Sequence, residues 1–183
     1  MKLAAFAAGV CLAASASLVL AEEPPASGRP VVVSHNDVNP SNLVYDGEHI
    51  LLHDWETAGP NDPFYDLATV ALFLRMDEGT CERLVAAHDG EPVARLPARF
   101  AYDRRLAGVL CCAVFLQLAR QNGHPGDTGE ETLESTASLG EFYTRLMSGA
   151  VSLASAEGQW AFGLALLKEA VAWPAVDIAV SDR

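Results

Sequence analysis

Three side chains in the first third of the chain have the types and spacing of a site that handles a metal ion and a phosphate. Asp37 lies five residues before Asn42, and Asp54 follows beyond an apolar stretch. An amide oxygen and a carboxylate are hard ligands of the kind that Mg²⁺ prefers, with substrate phosphates completing its coordination. Asp37 is then a candidate to orient a hydroxyl and accept its proton while the metal holds the phosphate.

The elements between these residues are expected to bring them together. Asp46 and Gly47 stand between two apolar stretches, residues 43–45 and 49–52, and this pattern strongly predicts a β-hairpin. Folding the chain back near Gly47 lays residue 42 beside residues 53 and 54. We therefore expect Asn42 and Asp54 to meet at the open end of the hairpin.

The remaining pattern predicts one short buried strand at residues 31–33, a loop over 57–62, and then helices only. The first helix is expected to begin at Pro63 after an Asp62 cap and to end near Met76. Thr128 and Glu131 form a capping-box pattern for a later helix. The remaining helices are predicted over residues 81–88, 100–121 and 159–172, and the apolar stretch 109–116 predicts central burial.

Longer motifs around these residues resemble those of a known family. The stretch HNDVNPSN (35–42) matches the kinase catalytic-loop pattern HxDxxxxN, and DWE (54–56) resembles the metal-binding DFG motif. Residues 58–60, 62–63 and 65–68 follow in the expected order. Over residues 31 to about 75 the sequence resembles the choline/ethanolamine kinase and aminoglycoside phosphotransferase family.

The resemblance implies a role for each residue of the site. Asp37 would be the catalytic base, and His35 would brace its loop through hydrogen bonds. Asn42 and Asp54 would bind Mg²⁺ and, with it, ATP as the co-substrate. Glu56 would assist a second ion or the substrate pocket.

Asp66 is expected to have a structural role under either of two interpretations. The resemblance implies that it ties the first turn of its helix to the backbone of the catalytic loop. Without the resemblance, a carboxylate early in a helix is stabilised by the helix dipole. His53 stands where the family has an apolar residue, and no function is assigned to it.

The resemblance also implies a fold. We expect an α+β, mostly helical domain over residues 31–183, the C-terminal lobe of a protein-kinase-like fold, after a linker over 24–30. The family's nucleotide-gripping lobe needs a Gly-rich loop and a strand lysine with a glutamate partner. Before His35 the only basic residues are Lys2 and Arg29. We therefore expect this lobe to be absent and the chain to be truncated.

The first 23 residues fit two kinds of segment. A basic start and an uncharged apolar stretch over residues 3–21 are typical of a signal peptide or a membrane anchor. The same stretch also suits a buried helix of a cytoplasmic protein. We expect a cytoplasmic location, because a secreted kinase lobe would meet little ATP, and export remains the alternative.

Charge and composition limit the classes of molecule that the protein is expected to bind. The formal net charge is -12, from 12 Lys and Arg against 24 Asp and Glu, so nucleic-acid binding is not expected. An acidic field favours Mg²⁺ and a cationic small molecule, such as an amino alcohol, a thiamine-like compound or an aminoglycoside. Trp160, Phe162 and Trp173 could form an aromatic wall for such an amine, although core packing is the more common use.

Three functions remain open on these grounds. The first is ATP-dependent phosphorylation of a hydroxyl on a small molecule. The second is an inactive, truncated or pseudokinase lobe that binds a partner, and its uncovered apolar face would favour oligomers. The third is a secreted or membrane-anchored helical protein with an incidental kinase-like loop.

Overall fold

The computed structural model describes residue 17 and residues 20–127 and 131–173. Residues 23–107 form one compact unit, and residues 108–173 belong to a second. All the strands of the described residues lie in the first unit, and helices make up most of the described part of the second. The expected class, α+β and mostly helical with a small hairpin, is confirmed.

The part of the chain that the structure describes contains four short strands, which form two antiparallel pairs. Strand β1 (Val32–Ser34) pairs with β4 (Gly59–Asn61), and β2 (Leu43–Tyr45) pairs with β3 (Ile50–Leu52). The predicted hairpin is therefore confirmed. The predicted loop over 57–62 is wrong at residues 59–61, which form β4. Pro60 lies within this strand, and a proline in a sequence stretch ordinarily argues against a strand.

The prediction of a buried first strand is also wrong. Val31 is 68% exposed and Val33 is 77% exposed. Among the described strands, β1 pairs with β4 alone, so its backbone bonds along one edge and these side chains remain in solvent. The apolar composition of a short stretch does not by itself show whether another layer of the protein covers the strand.

The hairpin turn is stabilised by its first residue. The carboxylate of Asp46 accepts hydrogen bonds from the backbone N–H groups of His49 (2.7 Å) and Glu48 (2.9 Å), and these bonds lower the pKa of Asp46. Gly47 has a φ of 105°, which a side chain would disfavour. The turn therefore sets the register in which Leu43 faces Leu52.

The first two helices of the first unit each begin after an aspartate cap, and the sequence predicted the first of these caps. In α1 (Pro63–Phe73), Asp62 accepts a hydrogen bond from the N–H of Phe64 at 3.0 Å, and Pro63 occupies the first turn. The helix ends before the predicted Met76, and Arg75 adopts a left-handed φ of 53°. Helix α2 (Glu78–Asp89) follows and is capped in the same way by Asp77.

A buried arginine organises the core of the first unit. Arg104 is 1% exposed and donates hydrogen bonds to the carbonyl oxygens of Ala71 (3.1 Å) and Met76 (3.0 Å), beyond the helical bonds of α1. Phe64 and Phe100 pack edge to face beside them, with ring centroids 6.3 Å apart. These contacts hold α1, which carries part of the site, against the helix that carries Phe100 and Arg104.

Over residues 108–127 and 131–173, the second unit is built from three helices. Helix α3 (Ala98–Gln121) begins in the first unit, and α4 (Leu139–Met147) and α5 (Ala156–Ala172) follow. Phe162 of α5 packs on Phe142 and Phe115, with ring centroids 4.9 and 4.6 Å away. A Cβ on Gly108 would lie only 2.8 Å from that of Ala170, so glycine allows α3 and α5 to approach closely.

The later helix starts at a different cap from the predicted one. Thr128 lies outside the described residues, and Glu131 is not helical. The capping box is formed by Ser138 and Glu141 instead, at the start of α4. The carboxylate of Glu131 accepts a hydrogen bond from the indole N–H of Trp160 at 3.0 Å.

The apolar middle of α3 is less buried than its composition predicts. Val109 and Cys112 are buried, but Leu110 is 42% exposed and Val114 is 62% exposed. Burial raises the pKa of Cys112 to about 12, in keeping with an inert thiol. The three cysteines of the described residues form no disulfide.

The expected signal peptide or anchor falls almost entirely outside the described residues. Among the helices that are described, none combines the length and the hydropathy needed to cross a bilayer.

Candidate functional site

The loop between β1 and β2 holds the Asp37 carboxylate in one orientation. Its Oδ1 accepts a hydrogen bond from the side-chain amide of Asn39, and its Oδ2 accepts one from that of Asn42, both at 2.9 Å. Asp37 is half-buried, so a substrate could reach it. Two amide donors fix the carboxylate without neutralising it, as a proton-accepting group requires.

Asn42 lies at the end of the same loop and is 5% exposed. Its amide nitrogen donates to the Oδ2 and to the backbone carbonyl of Asp37, both at 2.9 Å. Among the described residues, the amide oxygen of Asn42 has one contact, a long one of 3.5 Å with the hydroxyl of Ser41. The nitrogen side of this amide therefore positions Asp37, and the oxygen side remains able to bind a cation.

Asp54 follows the hairpin on the other side. The backbone N–H of His53 donates to the carbonyl of Asn42 at 3.1 Å, so Asp54 comes one residue after this cross-strand contact. It has a left-handed φ of 66° and is exposed. Its carboxylate makes no hydrogen bond or ion pair with the described residues.

These two oxygen donors suit a magnesium ion that keeps phosphate and water ligands. Neither the amide oxygen of Asn42 nor the carboxylate of Asp54 is used up in strong bonds to the protein. Within the described ranges, no three His, Cys, Asp or Glu side chains converge to hold a metal. Glu56 is exposed and has no polar partner there. Protein groups alone would supply few ligands, which is usual for Mg²⁺ bound with a nucleotide.

His35 links the two sides of the site. It is 1% exposed; its Nδ1 accepts the N–H of Asp37 at 3.2 Å, so its Nε2 carries the proton and donates to the carbonyl of His53 at 2.9 Å. The indole of Trp55 packs edge-on against the imidazole, with centroids 4.8 Å apart. The histidine thus connects the loop that carries Asp37 with the residue before Asp54.

Asp66 lies in the first turn of α1 and accepts two hydrogen bonds from the loop between β1 and β2. Its carboxylate oxygens receive the backbone N–H groups of His35 at 2.7 Å and Asn36 at 2.8 Å. Because Asp62 and Pro63 set where α1 begins, the helix start also sets the position of this carboxylate. The structure therefore places Asp66 as a support of the loop.

Sequence reasoning missed three further residues that join the same segments. Asn36 donates to the carbonyl of Thr57 at 3.0 Å and accepts from the amide of Asn61 at 2.8 Å. The hydroxyl of Thr57 donates to the carbonyl of His35 at 2.9 Å. The one available signal was the residue type at position 36, because asparagine tolerates the left-handed backbone that it adopts here, with a φ of 66°.

The aromatic residues considered for amine binding are mainly core residues. Trp160 is 8% exposed and stacks on His124, with centroids 4.4 Å apart, and Phe162 is 3% exposed. Trp173 caps the end of α5. An open cavity of about 650 Å³ in the second unit is lined mostly by polar residues, including Arg145, and by none of the predicted site residues.

Comparison with known proteins gives one family match and two proteins that are similar over a short stretch. A profile of the phosphotransferase enzyme family matches residues 5–107. Two Haemophilus influenzae proteins named LicA are 42% identical to this chain over 36 residues, which is 20% of the chain and 14% and 11% of the two relatives. The chain thus matches only a small part of their length.

A solved structure of a choline/ethanolamine kinase family protein from Mesorhizobium loti aligns with 85% of this chain and 48% of its own, with a TM-score of 0.47 and 22% identity. The chain spans about half the length of that structure. The family profile, in contrast, covers more than half of this chain and includes every residue of the site described above. This protein therefore belongs to the phosphotransferase enzyme family.

Proposed function

We propose that this chain is the catalytic part of an ATP-dependent phosphotransferase that acts on a hydroxyl group of a small, cationic molecule. The observation that carries the proposal is the amide of Asn42. Its nitrogen holds the carboxylate of Asp37 while its oxygen remains available for a cation. One side chain would thereby fix the spacing between the proton acceptor and the metal, the spacing that phosphoryl transfer depends on.

The chemistry assigned to the protein is positioning and proton transfer. Asp37 would hold the substrate hydroxyl and accept its proton as the oxygen bonds to the γ-phosphorus. The bond between that phosphorus and the β–γ bridging oxygen breaks, and ADP leaves. Mg²⁺, when bound through Asn42 and Asp54, would supply charge neutralisation for the phosphates.

The class of substrate follows from charge. The chain has a formal net charge of -12, and such a field raises the local concentration of cations. Amino alcohols, thiamine-like compounds and aminoglycosides all combine a positive charge with a free hydroxyl. The resemblance of residues 54–56 to the choline-kinase form of the metal motif favours amino alcohols. Dependence on ATP would imply a cytoplasmic location.

Phosphate transfer from γ-labelled ATP to choline, ethanolamine, thiamine and an aminoglycoside tests the proposal. We expect transfer to at least one of them, only with Mg²⁺, and a loss of about 10²-fold or more in Asp37→Asn. The matched control is Asp46→Asn, in which asparagine can keep the hairpin turn. A wild-type chain that neither transfers phosphate nor binds Mg²⁺–ATP in calorimetry would contradict the proposal, as would an Asp37→Asn variant with full activity.

One observation favours the alternative of a non-catalytic binding lobe. Tyr45 and Ile50 of the hairpin are 68% and 69% exposed, and Val33 and Trp55 are also exposed. Exposed apolar groups of this kind mark interaction surfaces, including self-association. Light scattering across a range of concentrations would show oligomers, and this alternative requires that Mg²⁺–ATP binding be absent.

A further inference from the structure

Asn36 lies at the centre of a set of contacts that the catalytic motif does not include. Its backbone N–H donates to Asp66, its side-chain nitrogen donates to the carbonyl of Thr57, and its side-chain oxygen accepts from Asn61. These three partners lie in α1, in the turn that follows Asp54, and in β4. A single residue thus bonds to three separate segments around this loop.

The contacts with the turn after Asp54 run in both directions. Asn36 donates to the carbonyl of Thr57 at 3.0 Å, while the hydroxyl of Thr57 donates to the carbonyl of His35 at 2.9 Å. The 3₁₀ turn Trp55–Thr57 is therefore bonded to the loop residues immediately before Asp37. We call this pair of bonds, with the Asn61 contact, the Asn36 clamp.

The backbone of Asn36 adds a second constraint. Its φ of 66° turns the chain between buried His35 and half-buried Asp37. Non-glycine residues adopt this region rarely, and they hold it where surrounding bonds over-determine it. Here the amide of the side chain and the carboxylate of Asp66 supply those bonds.

We infer that Asn36 is a positioning residue that sets the distance between the carboxylate of Asp37 and the segment that carries Asp54. The inference rests on the proposed function, because it concerns the two groups assigned to proton acceptance and metal binding. Asn36 has no assigned contact with substrate. Its effect would act through the loop backbone before Asp37 and the turn after Asp54.

The test compares Asn36→Gly with the wild type and with Arg75→Gly. Glycine accepts a positive φ readily, so Asn36→Gly removes the two side-chain bonds of Asn36, to Thr57 and Asn61, without adding backbone strain. Arg75 also has a left-handed φ, of 53°, and makes no side-chain bond to the loop, so its glycine variant is the matched control. Thr57→Val removes the reciprocal bond and serves as a second variant, with Thr57→Ser as its conservative rescue.

Two readouts separate positioning from folding. Steady-state kinetics should show kcat lowered about 10- to 100-fold in Asn36→Gly, with both KM values within about threefold of wild type. Hydrogen exchange, followed by mass spectrometry, should speed up over residues 35–42 and 55–61 in Asn36→Gly and Thr57→Val. Thr57→Ser should recover most of the loss, and Arg75→Gly should match the wild type in both readouts.

The possible results distinguish a failure of the role assigned to Asn36 from a failure of the proposed function. Unchanged exchange over both segments, or an unchanged kcat in an active enzyme, would overturn the role of Asn36. A fall in kcat that is fully accounted for by a smaller fraction of folded protein would also overturn the role of Asn36. A wild-type chain without turnover, whose Asn36→Gly variant nevertheless exchanges faster at both segments, would refute the proposed function and leave the clamp in place.

Discussion

Replacement of Asp66 by asparagine should destabilise the protein by removing half of a two-oxygen acceptor. The carboxylate accepts the N–H groups of His35 at 2.7 Å and Asn36 at 2.8 Å. An asparagine amide can accept only one of them and turns a donor towards the other. A hydrogen bond to a charged group contributes about 1.5–3 kcal/mol, and a half-buried donor left unsatisfied adds to the loss. We expect Asp66→Asn to lower the free energy of unfolding by about 2–4 kcal/mol.

Urea unfolding at pH 7, followed by circular dichroism, measures this loss. The slope against urea should stay unchanged, because the variant exposes no new surface. The matched control is Asp77→Asn, at the cap of α2, where the carboxylate accepts the N–H of Thr80 at 2.8 Å. Asparagine caps helices as well as aspartate does, so this control should change stability by less than about 0.5 kcal/mol. Equal effects of the two substitutions would refute the assigned role of Asp66.

Three further predictions concern packing, capping and pH. Gly108→Ala should cost about 1–3 kcal/mol in chemical denaturation, because a Cβ would meet Ala170 at 2.8 Å and the carbonyl of Leu166 at 3.2 Å. Ser138→Ala should cost about 1 kcal/mol in the same assay, because it removes the capping box of α4. Burial raises the pKa of Asp103 from 3.8 to about 6, so folding favours its protonated form. This contribution to stability is fully present below pH 3.8 and is lost as pH rises through 6, a loss of up to about 3 kcal/mol. Denaturation between pH 4 and 7.5 should therefore show a flatter pH dependence in Asp103→Asn than in the wild type.

Each of these predictions has its own control. Gly79→Ala, where a Cβ would meet nothing closer than 3.8 Å, should be neutral or stabilising, so an equal loss at both glycines would contradict the packing argument. Glu141→Gln can keep the return bond to Ser138, so it should cost less than Ser138→Ala. Parallel pH curves for Asp103→Asn and the wild type would contradict the raised pKa.

Local signals predicted the parts of the structure that local chemistry decides. Asp62 and Pro63 mark the start of α1, and the Asp46-Gly47 pair marks the hairpin, because capping and turn formation depend on adjacent residues. The hairpin in turn explains why His53 bonds to Asn42. Elements set by distant contacts were not predictable in this way.

The wrong predictions share one physical cause, because each concerns a feature that contacts distant in sequence decide. Thr128 with Glu131 and Ser138 with Glu141 have the same capping pattern, and packing around Trp160 occupies Glu131 instead. Exposure of the valines in β1 and of Leu110 in α3 depends on which surfaces lack a neighbouring layer.

In the site, motif spacing named the residues but not the bonds between them. The contacts of Asn36 with Thr57 and Asn61 join positions 21 and 25 residues away in sequence. No local pattern reports such pairs, and only the tolerance of asparagine for a positive φ hinted at a special role. The bonds of His35 to both sides of the site were likewise visible only in the fold.

The central claim is that Asn42 and Asp54 bind one cation beside Asp37. Crystals grown with Mn²⁺ and a non-hydrolysable ATP analogue would test it directly through the anomalous signal of manganese. The account predicts a manganese ion within about 2.0–2.5 Å of the amide oxygen of Asn42 and of a carboxylate oxygen of Asp54, with phosphate oxygens completing its shell. An ordered nucleotide whose metal contacts neither residue, or side chains of Asn42 and Asp54 that lie too far apart to share an ion, would contradict it.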